Sequence, residues 1–277
     1  MPDVTANGIS LHVEDTGGDG RPVVLIHGWP LSGASWSEQV PALTAAGHRV
    51  ITYDRRGFGD SDKPGSGYDY DTFAADLAGL LEELDLRDVA LVGFSMGGGE
   101  IARYIGTHGQ DRVRAAVFAA AVPPYLLKTD DNPEGGLGQD DVEGMQQGAR
   151  DDREGFLDGF TTAFFSAGGE LKVTEEQRQE ALALAARAGD QGLVECIHAF
   201  GTTDFRADLE KVTVPTLVIH GDGDGTVPFE VSGKRTAEIV NGAELVVVQD
   251  GPHGLNVSHA EEFNRALLAF LDSSSPG

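Results

Sequence analysis

Three stretches of this chain, PVVLIHG at 22–28, DVALVG at 88–93 and PTLVIHG at 215–221, are apolar for most of their length and stop at a glycine. A strand with one wet face alternates apolar and polar residues, whereas a continuous run must be covered on both faces. HRVITYD at 48–54, the run at 114–121 and AELVVVQ at 243–249 read the same way. Helical patterns lie between them. Asp71 is placed to cap a helix whose apolar residues Phe73, Leu77, Leu80, Leu81 and Leu84 recur at spacings of three and four. The segment 98–108 puts Ile101, Tyr104 and Ile105 on one face, and a last helix carries Phe263, Leu267, Leu268 and Leu271. Covered strands alternating with helices define an α/β fold with a mostly parallel, doubly covered sheet. Only ISLHVED at 9–15 alternates, as a half-exposed strand does.

The alternation lapses from Pro123 to about Asp208. That stretch holds Gly/Asp/Gln-rich turns and helix-like pieces near 155–165, 174–188 and 190–200, with no convincing strand. The expected organisation is therefore a core of residues 1–122 and 209–277 with a helical cap insertion at 123–208. Such an insertion lies over the carboxyl ends of the strands, where open α/β sheets hold ligands. No internal repeat is present, and the tail SSSPG is expected to fray.

Gly93-Phe94-Ser95-Met96-Gly97 fits G-x-S-x-G. With 38 Gly and 13 Ser in 277 residues, roughly 0.24 accidental matches are expected, so context decides. Here a buried strand enters the pentapeptide and a helix leaves it, the setting in which a serine sits on a sharp strained turn. The residues flanking it two positions away must then be small, and the helix N-terminus favours negative charge near the hydroxyl. A serine nucleophile needs a base, and the base needs an orienting acid, in the chain order Ser, acid, His. Of the histidines well beyond Ser95, His253 stands in GPHG between the AELVVVQ strand and the last helix. A strand's carboxyl end is where a base belongs. His198 reads as a helix-surface residue, His220 as structural and His259 as a solvated helix start. The acid should follow PTLVIHG, where Asp222 and Asp224 both stand. Asp224 is favoured because it lies further into the loop, while Asp222 suits local amide bonding. The residue after the nucleophile and one from the HG-x loop are the expected oxyanion donors.

These residues carry a family resemblance. HGWPLSGASW at 27–36, YDRRGFGDSDKP at 53–64, GFSMGGGE at 93–100, and HGDGDGTVPFE with GPHG resemble the α/β-hydrolase superfamily, in its cofactor-free haloperoxidase, perhydrolase and arylesterase branch. The likeness spans almost the whole chain and is weakest at 135–200. It implies an α/β-hydrolase fold, Asp224 as the acid three residues past the His-Gly pair, and the N–H groups of Trp29 and Met96 as the oxyanion hole. It implies no cofactor. DRRGFGDS resembles the family's structural turn, so Arg55 and Arg56 receive no catalytic role. The implied reaction is acyl transfer: His253 takes the Ser95 proton, Ser95 attacks a small carboxylic ester, and water or hydrogen peroxide releases the acyl group. Peracid made from a short carboxylic acid and peroxide would oxidise halide in solution. Pro30 is the expected tuning residue. Its fixed φ constrains the Trp29 backbone, and Trp-Pro here is the perhydrolase-like form. Phe94, Phe160, Phe164 and Phe200 are candidates, with Trp29, for an apolar pocket.

Other readings remain at this level: a plain esterase, lactonase or lactamase, or a ligand-binding receptor on a hydrolase scaffold. Serine at position 95 argues against epoxide or haloalkane chemistry, which uses an Asp nucleophile on related folds. Asp130-x-Asn132-x-Glu134 loosely resembles a calcium loop, but Pro133 interrupts it and no clear helices flank it, so it reads as a surface turn and no metal is expected. Cys196 is the only cysteine, which excludes an intrachain disulfide and a cysteine-built metal site.

Charge narrows the partners. Lys plus Arg total 20 against 45 Asp plus Glu, a formal net charge of -25. A chain with so little basic material is a poor candidate for nucleic acid or anionic membranes. MPDVTANGIS lacks a basic and apolar leader pattern, so a cytoplasmic protein with a small-molecule substrate is expected, with homo-oligomers frequent among the resembled proteins. Only 5 of the cations are Lys, and Asp supplies 26 of the acids. That bias suits either a highly soluble surface or salt adaptation. Salt adaptation predicts a melting temperature that rises between low salt and molar KCl, as added ions screen self-repulsion. An unchanged value leaves the solubility reading.

Overall fold

The computed structural model describes residues 3–274, so the last three residues of the SSSPG tail lie outside it. A small antiparallel ribbon, β1 (Val4–Ala6) with β2 (Ile9–Leu11), precedes the main sheet. β3 (Val13–Asp15) is that sheet's antiparallel edge. The single strand expected over 9–15 is thus divided. At His12 the backbone leaves the ladder: its N–H donates to Ser61 Oγ at 2.8 Å and its carbonyl accepts from Asp54 N–H at 3.0 Å.

The chain then runs through β4 (Pro22–Ile26), a 3-10 turn (Gly33–Trp36), α1 (Gln39–Ala45), β5 (Arg49–Tyr53), α2 (Tyr70–Glu83), β6 (Val89–Phe94), α3 (Met96–His108) and β7 (Val113–Ala119). α4 (Gln139–Asp151), α5 (Arg153–Phe164), the two-residue strands β8 (Ser166–Ala167) and β9 (Glu170–Leu171), α6 (Glu175–Ala185), α7 (Asp190–Thr202) and α8 (Arg206–Leu209) follow. β10 (Thr216–Gly221), α9 (Gly233–Ile239), β11 (Glu244–Val248), α10 (Leu255–Ser258) and α11 (Ala260–Ser273) close the chain. The 7-stranded sheet has the order β11-β10-β7-β6-β4-β5-β3, parallel except for β3. α1 packs with α11 and α2 with α3, covering the sheet. β6 and β7, in the middle, are buried at every residue, as near-continuous apolar runs require, and Arg114 of β7 is buried with them.

Three expectations are corrected. The N-cap of α2 is Asp69, not Asp71. Asp69 has extended backbone (φ -117°, ψ 160°), which lets its carboxylate accept from Thr72 N–H. Asp71 lies in the first turn and pairs with Arg103. β11 is an edge strand rather than a covered one, with Leu245 and Val247 exposed at 41% and 40%. Between β7 and β10, the pair β8–β9 supplies short strand pairing where none was expected.

Beneath the carboxyl ends of β4 and β5 lies a buried polar cluster. Arg55 Nε donates to Glu100 Oε2 at 2.7 Å, and Arg55 Nη2 to His27 O at 2.8 Å. Tyr53 OH also donates to Glu100, and Arg56 forms a bidentate pair with Asp76. Arg55 and Glu100 are 1% and 0% exposed. The turn DRRGFGDS therefore acts by inserting its arginines into the core against acids of α2 and α3. Removing one partner of a buried pair leaves an uncompensated charge. Glu100→Ala should lower unfolding free energy by ~3–5 kcal/mol in urea denaturation. A loss below 1 kcal/mol would show that solvent reaches Arg55.

Candidate active site

The site begins at the β6–α3 junction. Ser95 has φ 52° and ψ -116°, a sparsely populated backbone for a residue with a side chain. The turn leaves no room beside it. A Cβ on Gly93 would lie 2.4 Å from Gly97 O, and one on Gly97 2.4 Å from Ile26 O. The flanking glycines that the motif demands are thus required by contact. Ser95 Oγ projects over the first turn of α3.

Three segments from other strand ends meet it. After β4, Gly28 comes up against Phe94 and Ser95, so the next residue, Trp29, is carried to the nucleophile. After β10 comes Asp224, and after β11 comes His253. His253 Nδ1–H donates to Asp224 Oδ2 at 2.6 Å, which leaves Nε2 to accept the Ser95 hydroxyl at 2.9 Å. Ser95, Asp224 and His253 are 6%, 5% and 1% exposed. Asp224 Oδ1 accepts from the N–H groups of Thr226 and Val227 at 2.9 and 2.8 Å, and Oδ2 also faces His220 Nε2 at 3.2 Å. Burial alone would push this carboxyl up. The adjacent His253 and His220, with their hydrogen bonds, outweigh it and hold the carboxyl well below its usual range. The carboxylate is therefore ionised and oriented, able to stabilise a proton on His253.

The two residues expected as oxyanion donors, Met96 and Trp29, lie in different settings. Met96 N–H is the first of α3 and has no partner within the helix. Trp29 sits in the loop after β4, and the Trp29–Pro30 peptide is cis. The loop is pinned from below: Arg55 N–H donates to His27 Nε2 at 2.9 Å, and His27 Nδ1–H to Gly28 O at 2.9 Å. Burial, with the Arg55 charge beside it, pushes the His27 imidazole well down, so it stays neutral and serves both bonds.

The phenylalanines divide into two sets. Phe160 and Phe200 line a cavity of about 40 Å³ over Ser95, together with Trp29, Met145, Thr226 and Val227. Phe94 and Phe164 do not. Their rings flank the His253 imidazole, with centroids at 5.2 and 5.1 Å, and face a separate cavity of about 370 Å³ beside α6. No local pattern marks Val122, Leu126 and Leu137, which complete the smaller pocket from the β7 end and the loop beyond it. The Trp29 indole donates to Leu193 O at 3.0 Å, tying the loop to α7.

The remaining candidates lie elsewhere. His198 is exposed on α7, bonded to Thr202, and His259 precedes α11, bonded to Ser258. Asp222 accepts from Asp250 N–H across the sheet edge at 2.5 Å, rather than from its own loop. Asn132 spends its side chain on Tyr125 and Leu127 carbonyls and on Arg235. Among the described residues, His12, Asp54 and Asp60 bring three possible ligand atoms together. There Asp54 accepts from Gly33 and Asp60 N–H, and Arg187 pairs with Asp60.

The two candidate acids now make different predictions. Asp224→Asn should lower kcat by ~10⁴-fold with the fold intact, because the amide cannot hold the same tautomer. Asp222→Asn, whose carboxylate bonds Asp250 N–H rather than His253, should change kcat less than tenfold. The reverse order in ester-hydrolysis assays would move the acid to Asp222.

Comparison with known proteins agrees with this architecture. A family described as the alpha/beta hydrolase fold matches residues 21–260. A non-heme chloroperoxidase of Kitasatospora aureofaciens is 45% identical over 271 residues, 97% of this chain and 98% of that one. A bifunctional esterase/perhydrolase of Acinetobacter calcoaceticus is 36% identical over 272 residues, again 97% and 98% of the two chains. The crystal structure of a bromoperoxidase from Bacillus anthracis superposes with a TM-score of 0.93 at 57% identity, covering 95% of this chain and 96% of that chain. A serine on a strained strand–helix turn, a histidine and a carboxylate from later strand ends, and a sheet of this order and sense have one common explanation: the chain belongs to the α/β-hydrolase fold family.

Proposed function

We propose that this protein is a serine hydrolase that transfers short acyl groups, to water as an esterase and to hydrogen peroxide as a perhydrolase. The observation that carries the reading is the hydrogen-bonded line from Asp224 through His253 to Ser95 Oγ. His253 removes the Ser95 proton as Oγ adds to the acyl carbonyl. The N–H groups of Trp29 and Met96 receive the developing oxyanion. His253 then hands its proton to the leaving group, which is an alcohol from an ester or water from a carboxylic acid. Peroxide, deprotonated by His253, adds to the acyl-serine, and collapse releases peracid and Ser95. The peracid oxidises halide by two electrons in solution, returning the carboxylic acid and hypohalous acid. The names of the chloroperoxidase and esterase/perhydrolase relatives support this chemistry.

Pocket size supports a short acyl group. A water needs about 10–15 Å³ of such space. The cavity of about 40 Å³ over Ser95 therefore suits an acetyl-sized group beside a peroxide. In this reading residues 123–208 act as a cap that shields the acyl-enzyme, and its α5 and α7 contribute Phe160 and Phe200. Pro30 fixes the Trp29 carbonyl where it accepts a hydrogen bond from the attacking peroxide. No described helix is long and apolar enough to cross a membrane. The acidic composition and single cysteine support a cytoplasmic enzyme acting on small molecules; a homo-oligomer is what the family resemblance alone suggests.

Three measurements test the reading together. Ser95→Ala should lower ester hydrolysis by ~10⁴-fold or more and abolish carboxylate-dependent, chelator-resistant bromination. Pro30→Leu should cut peracid formation from acetate and peroxide while sparing hydrolysis of short aryl esters. If native enzyme makes no peracid, or Pro30→Leu lowers both activities equally, a plain esterase remains.

A further inference from the structure

We infer that His220 is a positioning residue for this site: by setting its Nε2–H edge against the Asp224 carboxylate it limits how strongly that carboxylate holds a proton on His253. The inference rests on the acyl-transfer reading above. His220 ends β10, four residues before Asp224, and its ring is fully buried. Nε2 lies 2.8 Å from Val227 O and 3.2 Å from Asp224 Oδ2. Both neighbours are acceptors, so Nε2 carries the ring proton: it donates to Val227 O, and the same N–H edge faces Asp224 Oδ2. Nδ1 is buried without a hydrogen-bond partner. The start of α9 closes over it, since a Cβ on Gly233 would fall 2.5 Å from Nδ1. A proton on Nδ1 would find no acceptor there, so the packing selects the Nε2–H tautomer.

An orphaned nitrogen is costly in a residue that only fills space. An apolar side chain of similar size would fill the same space without it. What that side chain could not supply is the Nε2–H, which serves Val227 O and faces Asp224. The carboxylate accepts from two backbone N–H groups on Oδ1 and from His253 on Oδ2, and the His220 N–H dipole stands 3.2 Å from Oδ2. The titratable groups facing it are His220 from β10 and His253 from the loop after β11. Phe229 and Gly233, which pack on His220 from the other side, bring no charge. With His220 replaced by a non-donor, Oδ2 would serve His253 alone. The carboxylate becomes a stronger acceptor, the His253 proton is held more tightly, and a more alkaline solution is needed to free the base. The sign is fixed: the acid limb of activity moves to higher pH.

The test uses the full chain and a short aryl ester, with kcat/KM followed from acid to neutral pH. His220→Met removes the donor at similar volume, and His220→Gln can restore it. The Met variant should move the acid-limb midpoint upward by roughly half a unit or more, with Gln lying nearer the native profile. His220→Leu, a second non-donor of similar size, should shift the limb in the same direction and serves if His220→Met does not fold. A native midpoint in folded His220→Met or His220→Leu, or a uniform loss of rate at every pH, would overturn the inference and leave His220 a packing residue. Native activity that survives Ser95→Ala would instead overturn the acyl-transfer reading itself, so the two failures are distinguishable.

Discussion

The structure depends on a turn that the backbone resists. Ser95 sits at φ 52° and ψ -116°, a conformation that costs of order 1–3 kcal/mol and persists only where its surroundings over-determine it. Those surroundings are specific. Ser95 N–H donates to Ala119 O of β7, and its carbonyl accepts from Gly98 and Val122 N–H. Gly93 and Gly97 touch backbone on both sides. The strain is held by the two central strands, the most buried part of the molecule. In return the hydroxyl stands clear of the sheet, at the positive end of α3, facing the loops from β4, β10 and β11.

The site's polar groups are satisfied from the core outward. Glu100 is on α3, one turn beyond the nucleophile, and is paired with Arg55. Arg55 also binds the His27 carbonyl and ring, and His27 binds Gly28 O. One buried ion pair therefore links the helix that begins at Ser95 to the loop that carries Trp29. Under the proposed chemistry both oxyanion donors are referenced to the same rigid group. A preorganised pair of donors needs no rearrangement as charge develops on the substrate oxygen, which is why such a link matters more to rate than to affinity.

Much of this was legible in the sequence because local and global signals agreed. Unbroken apolar runs gave the covered strands, glycines at fixed spacing gave the elbow, and strand-end histidine and aspartate gave the partners. What was illegible depends on distance in space. AELVVVQ reads as a covered strand, yet β11 has a neighbour on only one side, and no local pattern reports sheet position. Asp69 and Asp71 are equally good caps by type, and only the extended φ of Asp69 distinguishes them. Four phenylalanines look interchangeable as pocket residues. Phe160 and Phe200 face Ser95 because α5 and α7 fold over the loop after β4, whereas Phe94 and Phe164 are taken up by the flanks of His253. His220 reads as a strand terminus, since its contact with Asp224 requires the loop to turn back.

The apolar lining over Ser95 also constrains which form of an acid can react under the proposed chemistry. Trp29, Val122, Leu126, Leu137, Met145, Phe160 and Phe200 offer a carboxylate no cation, and the chain as a whole carries a formal net charge of -25. Moving an unpaired carboxylate from water into such a pocket is strongly unfavourable. The neutral acid enters at far lower cost, and its carbonyl carbon is the better electrophile. Acylation from a carboxylic acid is therefore favoured by falling pH, up to the point where His253 is protonated and can no longer accept from Ser95. An ester carries no such charge and meets only the second limit. Peracid formation and ester hydrolysis thus share one nucleophile and one base but have different pH windows, and the difference arises from the pocket wall rather than from the catalytic residues.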